Sequence, residues 1–124
     1  MSISTASELV SKKCRPCEGG VEPLGEREVA EQLQQLTGWR LDGDAKRIRK
    51  DWVVENFVAG IDFFNAVARL AEEENHHPDL HLTGYRQVAV ELTTHAIGGL
   101  SENDFILAAK IDQLPIRLKK RKVG

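Results

Sequence analysis

Twice along this chain a hydrophobic pattern of period two gives way to one of period near 3.6. That double switch limits the possible folds more than any other feature. In the first half, Lys46 to Val54 alternates. Ile48, Trp52 and Val54 share one face, with Lys50 as an exception, and Arg47, Arg49 and Asp51 point the other way. Asn56 to Glu74 then steps through Phe57, Ile61, Phe64, Ala68 and Ala71, one apolar helical stripe with Asn56 as N-cap. In the second half, Arg86 to Thr94 alternates again. Val88, Val90 and Leu92 form the inward set, and Gln87, Glu91, Thr93 and His95 form the other. Gly98-Gly99 breaks that strand. Ser101 caps a last helix with Asp104 three residues on, as in a capping box, and Leu107, Ile111, Leu114 and Leu118 line its buried side.

Each alternating segment has a partner. Trp39 to Leu41 precedes the first one across the turn residues Asp42-Gly43-Asp44, and Leu80 to Thr83 precedes the second across Gly84. A further helix is expected from Glu26, where Val29, Leu33 and Leu36 recur and Gly38 marks the stop. The order is α-β-β-α-β-β-α. It predicts an α+β domain in which helices pack on one face of a four-stranded antiparallel sheet. The domain is expected over residues 25–124. Residues 1–24, with two cysteines, Pro16, Pro23 and Gly19-Gly20, read as an irregular extension.

Composition excludes several classes of function. A net charge of −2 does not suit a chain built to hold nucleic acid. No apolar run approaches the ~20 residues of a membrane helix, and Met1 to Val10 has no secretory pattern. Two cysteines make no disulfide framework. A reduced, soluble, cytoplasmic protein is expected. With one thin core, it would gain from self-association.

The chemistry gathers in one stretch. All four histidines, His76, His77, His81 and His95, lie within twenty residues of one another. Imidazole is the side chain whose ordinary pKa allows proton transfer near neutrality. His76-His77-Pro78 ends the long helix, and Pro78 resists its continuation. Two adjacent histidines in a turn can face one pocket, or simply sit as polar residues at a helix end, favoured by its dipole. Strand parity sets His95 off the core face, beside the glycines where backbone can approach a ligand. Three imidazoles could also hold zinc, although no cysteine lies near them. Cys14-Arg15-Pro16-Cys17 is a lone CxxC without the second pair a zinc finger needs. Asp104 is accounted for by capping, so any part it has in a site would be indirect. The basic tail Arg117 to Lys122 reads as a solvated helix end.

Glu72-Glu73-Glu74-Asn75-His76-His77-Pro78, followed by Tyr85, Thr94-His95 and Asp104, resembles the signature of the pterin-4a-carbinolamine dehydratases. The runs from Asp79 to Tyr85 and from Gly98 to Phe105 are similar to bacterial and plant-like members, and the resemblance spans roughly Leu24 to Lys119. It implies dehydration of 4a-hydroxytetrahydropterin to quinonoid dihydropterin, which regenerates the cofactor of the aromatic amino acid hydroxylases. It implies a homodimer or homotetramer, with subunits pairing sheet to sheet, and no metal or organic cofactor. By resemblance, His76 and His95 move protons and His77 assists. Glu72 and Asn75 orient the histidines or the pterin. Pro78, Thr93, Thr94 and Ala96 lie at the substrate, and Tyr85 and Asp104 support the site. Some members also dimerise transcription factors. A protein-binding module and a diverged enzyme for another pterin therefore stay open as alternatives.

Overall fold

The computed structural model describes residues 3–16, 22–42 and 44–120. Four strands form one antiparallel sheet in the order β1-β2-β4-β3: β1 (Arg40–Asp42), β2 (Arg47–Val53), β3 (Asp79–Thr83) and β4 (Gln87–Leu92). The helices are α1 (Ala6–Val10), α2 (Glu26–Leu33), α3 (Phe57–Glu74) and α4 (Glu102–Ile111), with a 3-10 turn at His95–Ile97. The α+β class and the order stand, with α1 added in front.

The alternation in the sequence sets the faces of the sheet. Ile48 pairs with Leu92, Lys50 with Val90 and Trp52 with Val88, so these residues share the face that meets the helices. Ile48, Val88, Val90 and Leu92 are buried there with Phe63, Val67, Phe105 and Ile106. Trp52 stands edge-on to Trp39 at 6.0 Å and to Phe63 at 5.1 Å. The exception, Lys50, is satisfied at the sheet's rim. Its ammonium meets Asp112 Oδ1 at 2.8 Å and donates to the Thr37 carbonyl, while Trp39 Nε1 donates to Asp112 Oδ2 at 3.0 Å. The opposite face carries Arg40, Arg49, Asp51 and Glu91.

Two expectations are corrected. The buried stripe of α3 is Ala59, Gly60, Phe63, Val67, Ala71 and Glu74, while Phe57, Ile61 and Ala68 are exposed. Both faces of α3 are apolar, so period alone does not choose between them. The last helix stops at Ile111. Pro115 lies beyond it, and the chain runs out extended, with Leu118 half exposed and Lys119 N–H donating to the Val53 carbonyl. Of the basic tail, Arg121 and Lys122 lie outside the described residues, as does Gly43 of the first turn.

The lead-in is also not wholly irregular. Thr5 caps α1 in a capping box with Glu8, and Leu9 is fully buried against the core. Gln32 is buried and clamps Ser4, accepting from its N–H at 3.0 Å and donating to its carbonyl at 2.8 Å.

Candidate active site

The site begins where α3 ends. Asn75 takes the left-handed conformation, with φ 52° and ψ 41°, which asparagine tolerates better than most residues. His76 N–H then bonds back to the Ala71 carbonyl. This closure turns the chain sharply and brings His76 under the N-terminus of α4. Its Nε2 meets Asp104 Oδ1 at 2.6 Å.

Asp104 is fully buried. Its other oxygen, Oδ2, accepts from Thr94 Oγ1 at 2.8 Å and from the Ser101 N–H at 2.9 Å. A buried carboxylate needs such donors, and here they come from three segments: the helix end, the strand end and its own capping box. Because a carboxylate only accepts, the proton of a neutral His76 sits on Nε2. That leaves the Nδ1 lone pair to act as a base. His77, half exposed, pairs through Nε2 with Glu72 Oε2 at 2.5 Å, and Glu72 itself is not among the residues that line the cleft.

The segment after β4 lines the same cleft. The strand ends at Leu92, and His95 opens the 3-10 turn instead of ending a strand, so the parity argument does not reach it. Thr94 and Gly99 pair and close this loop, with Thr94 N–H donating to the Gly99 carbonyl at 2.9 Å. An open cleft of about 340 Å³ has two walls drawn from different segments: Asn75, His76 and His77 from the end of α3, and Thr93, Thr94, His95 and Ala96 from the segment after β4.

Three lining residues carried no usable sequence signal: Arg15 and Pro16, from the lead-in, and Asn103, from the first turn of α4. The Arg15 N–H donates to Asn103 Oδ1 at 2.9 Å, and Asn103 Nδ2 returns a bond to the Arg15 carbonyl.

The other expected residues fall elsewhere. Pro78 is not among the lining residues and leads into β3. Tyr85 sits in the β3–β4 turn, at the far end of β4 from His95, and its exposed ring lies against Arg86. His81 points from the open face of the sheet, where its Nε2 meets Glu91 Oε1 at 2.5 Å. The thiol of Cys14 is pushed up to about 12 by burial and then by Glu74, which leaves almost no thiolate at neutral pH. Cys17 lies outside the described residues. Among the described residues, no three His, Cys, Asp or Glu side chains are grouped to hold a metal ion.

The lining therefore combines three histidines and one arginine with asparagines and threonines, and carboxylates pair with His76 and His77. Such a cleft can hold a polar molecule and pass protons to and from it.

A family model described as Pterin 4 alpha carbinolamine dehydratase matches residues 22–114. A mitochondrial pterin-4-alpha-carbinolamine dehydratase 2 of Arabidopsis thaliana is 48% identical over 99% of this chain and 68% of its own length. A protein of Nitrosospira multiformis named for the same activity is 50% identical over 90% of this chain and 96% of its own. A solved transcriptional coactivator/pterin dehydratase from Brucella melitensis superposes with a TM-score of 0.69 at 30% identity, covering 74% of this chain and 97% of that one. No helix among the described residues is long and apolar enough to cross a membrane. The family match spans both hairpins, both long helices and every histidine of the cleft, and on that match the chain belongs to the pterin 4 alpha carbinolamine dehydratase family.

Proposed function

We propose that this protein dehydrates a 4a-hydroxytetrahydropterin to the quinonoid dihydropterin by histidine acid–base catalysis. The observation that carries the reading is the buried Asp104 behind His76, in a cleft that His77 and His95 also line. Hydroxide is a poor leaving group, so the C4a hydroxyl must take up a proton as the C–O bond breaks. The N5–H bond gives its electrons to a new C4a=N5 bond, and its proton goes to a base. One proton enters, one leaves, and water departs.

His76 suits either task. With Asp104 on Nε2, neutral His76 accepts at Nδ1, and the imidazolium formed is stabilised by the same carboxylate. His95, on the other wall, is the partner of opposite role. His77, braced by Glu72, and the amide of Asn75 hold the ring. Thr93, Thr94 and Ala96 border the substrate, and Asp104 acts through His76. Each proton transfer is worth about 10²–10⁴-fold.

The test is the rate at which carbinolamine absorbance disappears. His76→Ala and His95→Ala should each lose at least about 10²-fold in kcat. Near-normal turnover in both would end this mechanism.

The reading includes a role in recycling the pterin used by aromatic amino acid hydroxylases, in the cytoplasm. Coupling to a purified hydroxylase and cell fractionation test these two parts. It also includes a homodimer or homotetramer. Phe57, Val58 and Ile61 expose an apolar strip on α3, which a lone subunit would leave in water. Sedimentation should show an oligomer, and Phe57→Glu should weaken it.

A further inference from the structure

We infer that Thr94 is a positioning residue: its hydroxyl anchors the Asp104 carboxylate that holds His76, and it makes no hydrogen bond to the substrate. The inference rests on the dehydratase reading proposed above.

Thr94 is among the residues that line the cleft, yet it is 4% exposed and each of its polar atoms is already engaged within the protein. Its N–H donates to the Gly99 carbonyl at 2.9 Å. Its carbonyl accepts from the Ile97 N–H at 3.2 Å and from the Gly99 N–H at 3.5 Å. Its hydroxyl meets two oxygens, Asp104 Oδ2 and Ser101 Oγ, each at 2.8 Å. A hydroxyl has one proton and a carboxylate only accepts, so the Thr94 proton goes to Asp104. Ser101 Oγ is then the donor to Thr94 Oγ1. The bonds run in one direction, from Ser101 to Thr94 to Asp104, and His76 Nε2 meets the other oxygen of that carboxylate at 2.6 Å.

The anchoring follows from how the carboxylate is held. Two donors reach Oδ2, the Thr94 hydroxyl and the Ser101 N–H, and they come from different segments. Together they fix the plane of the group, which aims Oδ1 at His76. With the Ser101 bond alone the carboxylate turns about a single contact, and Oδ1 swings away from Nε2. A group that orients a histidine from behind governs its tautomer and its direction. The same hydroxyl ties the segment that carries His95 to the helix that carries Asp104, because His95 follows Thr94 directly. One hydroxyl thus sets both histidines that the reading uses for proton transfer.

Thr94→Val is the probe, because it keeps the branched shape and the backbone bonds and removes the hydroxyl. In the full chain, kcat for carbinolamine dehydration should fall on the order of tenfold. KM, and the Kd of 6-methyl-7,8-dihydropterin, should stay within about twofold of wild type. Thr94→Ser restores the hydroxyl and should recover most of kcat. Ring-nitrogen NMR of His76 gives a readout independent of turnover. Wild type should show the Nε2–H tautomer, and Thr94→Val a mixture with Nδ1–H. Urea melts run alongside.

A folded Thr94→Val chain with wild-type kcat would overturn the inference. So would one that keeps kcat while KM and Kd rise, which is how a substrate contact behaves, or a loss of kcat that Thr94→Ser does not recover. Should Thr94→Val not fold, wild type decides. Its Thr94 hydroxyl proton should exchange slowly with solvent and keep its NMR position when the dihydropterin is added. Exchange as fast as that of an exposed hydroxyl, or a shift toward the pterin, would count as refutation. A wild type that dehydrates nothing, with a His76 tautomer that depends on Thr94, would sink the proposed reaction and leave this inference standing.

Discussion

Asp104→Asn separates orientation from packing, because the change is isosteric and removes only charge and one acceptor. Asp104 accepts three bonds: from His76 through Oδ1, and from Thr94 and Ser101 through Oδ2. Asparagine keeps two of them by placing its oxygen where Oδ2 stood. Its NH₂ then faces His76 Nε2, which must become the acceptor, and the proton moves to Nδ1. The imidazole survives in the wrong tautomer, and its imidazolium loses the facing charge. All three hydrogen bonds then meet a neutral amide in place of a charged carboxylate, and the relieved cost of burying a charge offsets part of this, for a net stability loss of about 1–2 kcal/mol. That is small against the roughly 5–15 kcal/mol of a folded domain. Turnover should fall much further, on the order of 10²–10³-fold in kcat, since acid–base work at His76 is lost. Asp104→Ala is the wrong probe. It orphans three donors at roughly 1–3 kcal/mol each and endangers the fold itself. The assay is carbinolamine dehydration as a function of pH, with urea melts alongside. A folded Asp104→Asn enzyme with wild-type kcat and an unchanged pH profile would refute the claim that this carboxylate sets the His76 tautomer.

Acid should loosen the lead-in, residues 3–16, through Glu74, which holds the Cys14 N–H. Burial pushes its carboxyl upward, but the Cys14 amide and Lys110 outweigh this and hold it below its ordinary value of 4.5. A lowered folded pKa gives stability that is present above about pH 4.5 and lost as pH falls through the folded value. Glu74→Gln should therefore cost about 1.5–3 kcal/mol at pH 7 and less near pH 3. A constant difference between the two urea-melt series would speak against it. Gly99→Ala should also destabilise, by about 1–3 kcal/mol. A Cβ there would stand 2.8 Å from Pro23 Cβ, and a proline ring cannot swing aside. Because Gly99 pairs with Thr94, KM should rise as well, and an unchanged melt and KM would count against the tight contact.

What the sequence disclosed depended on how local the cause was. The hairpin faces were legible because alternation and pairing record the same fact twice, as in Val88, Val90 and Leu92 against Trp52, Lys50 and Ile48. The Asn56 cap and the Ser101–Asp104 box were legible because capping acts within four residues. The orientation of α3 was not, since Phe57 and Ile61 make as good a stripe as Phe63 and Val67. Only the sheet decides which one faces inward. The end of the last helix at Ile111 is local in cause too, because Pro115 resists its continuation. The lead-in over residues 3–16 was opaque for another reason. Its burial rests on Leu9, with Val10 and Cys14 partly packed, and on side chains distant in sequence that grip its backbone. Leu9, Ser4 and Cys14 have no period to detect.

The candidate site shows the same division. Asn75, His76 and His77 come to one wall because a left-handed asparagine ends α3, and adjacency in sequence suffices to place them together. His95 reaches the other wall for a reason parity could not supply. The Thr94–Gly99 pairing folds a 3-10 turn over the strand end. The capping acid links the two walls. Asp104 serves its own helix through Ser101 and at the same time receives Thr94 from one side of the cleft and His76 from the other. A residue explained completely by capping could have been dismissed on that account. Yet the Ser101 N–H and Thr94 Oγ1 share Oδ2, which leaves Oδ1 to His76. Structural and positioning roles thus use different atoms of one carboxylate, and neither role excludes the other.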